Sequence, residues 1–427
     1  MSQLQITNGH LLDPVNKINR QANLYIENGH IAAIDVAPKN FKADQTIDAQ
    51  GLTVIAGIVD LCARLREPGQ EYKATIQSET VAAAMSGITT LCCPPDTDPV
   101  IDEPAVVELI NHKTANAAHS NVLMLGALTT GLKGELLSEM QALKIAGCVG
   151  LSNGRHPIDN TLVLKRAYAY AANCGLTVFI EPDDHWLSAG GCVHEGTIAS
   201  RLGLKGIPVS AETVALARAL EIVAETGVKA HFGRLSSAAS VAMIRRAKDD
   251  GLNITADVSA HQLHLNEFDI SSFNSACHVL PPLRSQRDQE ALQRGIADGT
   301  LDAICSDHQP HDPDAKESPF ISTAPGISAL ATLLPLATRL VDQGIADIET
   351  IIRAITSTPA SILGTNTGTL TVGSRADICI FNRDASWQLD ESNIHSSGKN
   401  SPFIGWNFQT RVEHTIVSGT PIHSHTD

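Results

Sequence analysis

Between residues 57 and 306 the chain repeats one pattern eight times: a strand-length apolar run, then a longer stretch with helical spacing. The runs are GIVDLC (57–62), ITTLCC (88–93), NVLML (121–125), CVGLS (148–152), LTVFIE (176–181), VKAHFG (228–233), NITADV (253–258) and LDAICS (301–306). Between them lie helical patterns such as ETVAAAMS, EPAVVELINHKTA, TLVLKRAYAYAAN, AETVALARALEIVAE and QEALQRGIAD. Eight strands alternating with helices is the count that closes a parallel α/β barrel. The pattern predicts a (β/α)8 domain over residues 56–364.

The flanks have a different texture. LQITNGHLLDP and QANLYIENGHIAAID near the start, and GTLTVGSRADICIFN and TRVEHTIVSGTPI near the end, alternate apolar with polar residues. Residues 1–55 and 365–427 are expected to form one small β domain built from both ends. An apolar fraction of 43% in 427 residues supports a sizeable core and excludes a mainly disordered chain. No apolar run reaches the length of a membrane span, and MSQLQITNGHLLDP lacks the basic-then-apolar order of a signal peptide. Nine cysteines, without any CxxC, fit a reduced, cytoplasmic protein. The net charge of −15 argues against nucleic acid as a partner.

Chemistry in such a barrel belongs at the C-terminal ends of the strands and in the loops after them. Asp307-His308-Gln309-Pro310-His311 follows the eighth run. An aspartate there serves as metal ligand or general base, or it caps a turn beside solvent-facing histidines. The seventeen histidines invite a metal-enzyme reading, which has to be tested position by position. Cys92 and Cys93 read as core of a buried strand, and His423 and His425 as part of a frayed polar tail.

VDLCARLREPG resembles the VDxHxHxREPG segment of cyclic amidohydrolases, especially dihydroorotases. EGTIASRLGLKGIPVSAE, ITADVSAHQLHL, PPLRSQRDQEAL, GTLDAICSDHQPH, TSTPASILGTNTGTLTVGSRADI and GKNSPFIGW are similar to further dihydroorotase segments in the same order, so the resemblance covers nearly the whole chain. It implies a metal-dependent TIM-type barrel of the amidohydrolase kind, with a small β-sandwich formed by both chain ends.

At the positions that carry the family's chemistry this chain departs from it. Cys62 and Arg64 stand where the resemblance implies the first two histidine ligands, and Asn153 where it implies an aspartate. Glu181 and Arg234 replace two further histidines, and no lysine stands at the end of the fourth strand. Asp307 is kept. Among the implied substrate contacts Arg66 is kept, Asp96 and Leu280 replace asparagines, and a PHH-like segment reads Ala260-His261-Gln262.

Guanidinium stays protonated and offers no lone pair, so arginine cannot ligate a metal. Two arginines in the site also repel a divalent cation by several kcal/mol in order of magnitude. The expectation is therefore a site with no catalytic residue and no metal, in which Arg64 and Arg234 pair with Glu181 and Asp307. The resemblance then implies the role of the family's non-catalytic members, which are structural subunits of aspartate carbamoyltransferase in de novo pyrimidine biosynthesis and work within a hetero-oligomer. Two alternatives stay open. One is an active cyclic amidohydrolase converting dihydroorotate to N-carbamoyl-aspartate, with zinc on Cys62, Glu181 and Asp307 and with Asp307 as base. The other is a metal-free binder of dihydroorotate-like ligands at Arg66.

Overall fold

The computed structural model describes residues 3–425. All eight expected runs contain strands: Ile58–Asp60, Ile88–Cys93, Asn121–Ala127, Gly150–Ser152, Thr177–Ile180, Ala230–Phe232, Ile254–Ser259 and Ala303–Cys305. They pair in chain order, each parallel to the next. Continuous apolar runs suit strands covered on both faces. Closure comes just beyond the first and eighth strands, where Arg64 N donates to His308 O at 2.9 Å and His308 N to Cys62 O at 3.2 Å. Lower down, Asp60 accepts from Ser306 N at 2.9 Å and from the Ser306 hydroxyl.

The helices that wrap the barrel begin where a side chain can satisfy their first amides. Thr75, Ser237 and Ser285 cap Ile76–Met85, Ala238–Asp249 and Gln286–Ala297. The first two strands approach so closely that a Cβ on Gly57 would lie 2.1 Å from Thr89 Oγ1, which only glycine avoids.

Strands from both ends form one eight-stranded mixed sheet. Thr420–Ser424, Arg411–Val417, Ile378–Asn382, Thr53–Ala56, Gln3–Asp13, Ile18–Glu27 and His30–Ile34 follow in that spatial order, and Gln45–Asp48 pairs with Gln3–Asp13. Leu4, Ile6, Leu24, Val54, Ile378 and Ile416 belong to a separate apolar core under it. The expected frayed tail is corrected here. His423 opposes Thr415 in the last strand, and His425 N donates to Glu413 O at 2.7 Å, so pairing to an ordered neighbour holds the tail. Between the C-terminal strands, Leu389, Ile394, Phe403 and Phe408 pack into the barrel's core instead of the sheet's. That excursion carries residues 396–401 to the barrel mouth. No helix among the described residues is long and apolar enough to cross a membrane.

Candidate functional site

The mouth is built on three strand ends whose backbone is unusual. Arg66, Arg234 and Asp307 have φ of 64°, 55° and 50°, in the left-handed region. Such non-glycine residues cost about 1–3 kcal/mol each and persist only where their surroundings hold them. Arg234 N donates to Asp257 Oδ1 at 2.5 Å, and Asp257 is itself paired with His231 Nε2 at 2.9 Å. The loop of Asp307 is pinned on both sides. His308 Nε2 meets Glu79 Oε2 at 2.7 Å, and Asn400 bridges by donating to Gln309 O at 3.0 Å and accepting from His311 N at 2.9 Å. The expectation of solvent-facing histidines fails at both positions, since His308 is completely buried and His311 nearly so. The fully buried Glu79 supplies the partner that His308 needs.

At the centre two guanidinium groups stand among three carboxylates. Arg64 Nε donates to Asp96 Oδ2 at 2.7 Å, while Arg64 Nη1 lies 3.5 Å from Asp307 Oδ1 and Nη2 4.0 Å from Glu181 Oε1. Arg234 Nη2 contacts Glu181 Oε1, and Arg234 Nε is 3.8 Å from Asp307 Oδ1. Gln309 Nε2 donates to Asp307 Oδ1 at 3.2 Å, and Cys62 Sγ lies 3.8 Å from the same oxygen. Cys62, Arg64, Arg234 and Asp307 are all buried. Both arginines thus sit inside the mouth, each within ion-pair distance of Glu181 and Asp307.

The titration behaviour follows from this packing. Burial disfavours the charge on Arg64, but Asp96, Cys62, Glu181 and Asp307 more than offset it, and its pKa is raised. Burial would lift Asp96, yet the adjacent Arg64 brings it below the usual carboxylate value. Asp307 is raised by burial, against the pull of Arg234 and Arg64. Burial also pushes the Cys62 thiol well up, away from the thiolate that a metal or an electrophile would require. Arg66 contacts Pro310 O at 3.0 Å and His311 Nε2 at 3.3 Å, and burial together with Arg64 lowers its pKa to about 10.

The other expected positions lie apart from the ion pairs. Asn153 accepts from Thr129 Oγ1 at 2.8 Å and donates to His156 O at 3.0 Å, so it ties loops together. His261 is buried, with no hydrogen-bond partner on either ring nitrogen among the described residues, and Leu280 is half-buried before Pro281. Sequence reasoning treated Asp96 only as a lost substrate contact, whereas it is the nearest carboxylate to Arg64. Its place in the loop after the second strand was the available signal.

Among the described residues no three His, Cys, Asp or Glu side chains are grouped to hold a metal ion. The concave spaces around the ion pairs are small. One of about 90 Å³ is lined by Asn153, Arg155, Tyr168, Glu181 and Asp183. Two of about 10 Å³ lie beside Arg66 and Asp96 and beside Arg234 and Arg284. A space of that smaller size holds about one water, and small-molecule pockets usually measure about 300–1,000 Å³.

A closed parallel barrel with a mixed sheet from both chain ends, and an aspartate after the eighth strand, defines an amidohydrolase-type protein. The model of the amidohydrolase family matches residues 184–422, and the dihydro-orotase-like model matches residues 51–240. A dihydroorotase-like protein of Pseudomonas aeruginosa is 45% identical over 98% of this chain and 99% of its own length. A dihydroorotase of Geobacter sp. (strain M21) is 37% identical over 98% of this chain and 99% of its own. The L-hydantoinase of Arthrobacter aurescens superposes with a TM-score of 0.90 at 24% identity, over 100% of this chain and 97% of that one, and so shares the fold. The chain belongs to the dihydroorotase-like family of amidohydrolases.

Proposed function

We propose that this chain is a dihydroorotase-like protein without dihydroorotase activity, acting in the cytoplasm as a structural subunit that holds aspartate carbamoyltransferase in a hetero-oligomer. One observation carries the loss of activity: the guanidinium groups of Arg64 and Arg234 stand between Glu181 and Asp307. The family's zinc does not fit this donor set. A zinc ion there needs several lone-pair donors, with thiolate in place of thiol. Here the thiol is held protonated, and both carboxylates already face cations. Two unit charges about 4–6 Å from a divalent ion would oppose its entry by several kcal/mol in order of magnitude. The small mouth cavities support the same reading, because the spaces beside Arg66 and Arg234 hold about one water each and the largest beside Glu181 measures about 90 Å³, below the usual range for ligand pockets. The partner rests on the family resemblance alone.

The test is metal analysis of the purified protein with a dihydroorotase assay, beside pull-down of aspartate carbamoyltransferase from cells of the same source. The expected result is substoichiometric zinc, no turnover, and a carbamoyltransferase that co-purifies and changes in size or activity when this chain is removed. Stoichiometric zinc, with turnover abolished by Asp307→Asn, would establish the active cyclic amidohydrolase instead. The kept Asp307 and relatives named dihydroorotase favour that second reading.

A further inference from the structure

A concave space of about 1130 Å³ lies at the end of the barrel opposite the mouth, where the strand starts meet the sheet from the chain ends. Its floor is the barrel itself: Thr90, Asn121 and Leu123 stand near the starts of the second and third strands. Thr90 shares a strand face with Cys92, and Leu123 with Leu125, and both Cys92 and Leu125 belong to the apolar cluster inside the barrel. Thr90 therefore looks into the base of the barrel. It is 1% exposed, and its Oγ1 has no hydrogen-bond partner among the described residues. Buried hydroxyls are normally bonded, so an unpartnered one on a cavity floor calls for a polar guest. The walls come from the helix Ser357–Ile362 and from residues 364–375. Ser361, Asn366 and Ser374 make no side-chain hydrogen bond among the described residues. Asn121 gives its amide hydrogens to Thr89 O at 2.7 Å and Asp377 Oδ2 at 3.4 Å, which leaves its carbonyl oxygen to accept. His30 Nδ1 donates to Asn28 O at 3.0 Å and leaves Nε2. Among the described residues, the ionisable side chains lining the space are Arg375 and His30. Asp377 Oδ2 answers Arg375, 2.6 Å from Nε and 2.5 Å from Nη2. Asp13 is taken up by Thr369 Oγ1 at 3.0 Å and Leu370 N at 2.7 Å.

We propose that this cavity binds a neutral hydroxyl-bearing ring, a sugar or the ribose of a nucleoside, with Thr90 and Asn121 at its floor and Ser361, Asn366 and Ser374 around it. A lining of mixed donors and acceptors suits hydroxyl groups, since each hydroxyl both donates and accepts. An oxyanion would need a cation free to receive it, and the charge of Arg375 is already matched by Asp377. Val15, Leu123 and Val372 supply apolar contact for the carbon face of a ring. The volume matches the largest small-molecule pockets, about 1,000 Å³, whereas the spaces at the mouth fall below the usual range. The site is independent of the chemistry argued for the mouth.

Calorimetric titration of the full chain with ribose, glucose and adenosine is the test. Saturable binding of at least one is expected, millimolar or tighter and little changed between low and high salt. Ser361 is exposed, so Ser361→Trp leaves the fold intact, and it is expected to abolish binding by filling the cavity. Thr90→Val, which exchanges the hydroxyl for a methyl group, is expected to weaken binding by about tenfold. Should that variant fail to fold, Asn366→Ala, at an exposed position, takes its place with the same expected direction. A free sugar that binds as tightly as adenosine identifies the sugar as the recognised part, and binding of adenosine alone identifies a nucleoside. No saturable binding by any of the three up to about 10 mM would overturn the proposal. So would binding that survives Ser361→Trp, or salt-sensitive binding in which adenosine 5′-monophosphate exceeds adenosine.

Discussion

At the scale of single residues, the mouth turns on Arg234. It faces Glu181 and Asp307 together; Arg234 and Asp307 are buried, and the side chain of half-buried Glu181 is largely covered. Removing one partner of a buried pair leaves the others uncompensated, which costs about 3–5 kcal/mol. Arg234→Met is expected to lose that much in urea unfolding, and adding Glu181→Gln to recover part of it. Equal losses in the single and double variants would show that the pairing contributes nothing. The charge balance itself was legible, because two arginines and two carboxylates at strand ends must pair if they are buried. The share taken by Asp96 was not, because residues 64 and 96 lie on different loops whose approach depends on the pairing of the first two strands.

At the scale of elements, the eight strands were readable because apolar runs buried on both faces stand out against amphipathic helices. The role of residues 396–401 was not readable, since polar loops carry no periodicity. Asn400 clamps the Asp307 loop, and Gly398 passes it so closely that a Cβ would lie 2.6 Å from His311 N and 2.7 Å from Pro310 Cβ. Gly398→Ala is expected to destabilise by about 1–3 kcal/mol through this overlap. Crystallography of the variant should show the 307–311 loop displaced, and an unchanged loop with unchanged stability would refute the clamp.

At the scale of the whole molecule, acid sensitivity and metal independence are the expected signatures. Burial holds His261 and His311 at about 3 and His278 at about 4, below their ordinary 6.5. The unfolded chain takes up protons below 6.5 that the folded chain refuses. Stability is therefore complete above that pH and falls towards pH 4, by about 1.4 kcal/mol per unit for each histidine. Glu79, Asp96 and Asp257, lowered by their partners against burial, give way only below the ordinary carboxylate range. Thermal melts should show Tm flat between pH 6.5 and 8 and declining below 6.5, less steeply in His261→Leu, which also removes two buried nitrogens without a hydrogen-bond partner among the described residues. EDTA should leave Tm unchanged, because ion pairs between side chains hold the mouth; a fall of several degrees would point to a structural metal. The sequence by itself determined the barrel and the composite end sheet, and placed two arginines and two carboxylates at strand ends, since periodicity and residue chemistry are local properties. Only the tertiary structure decided that Asp96 completes the ion pairs, that Glu79 buries His308 and that a ligand-sized cavity opens at the barrel's base, because each joins residues whose separation is set by strand order and packing.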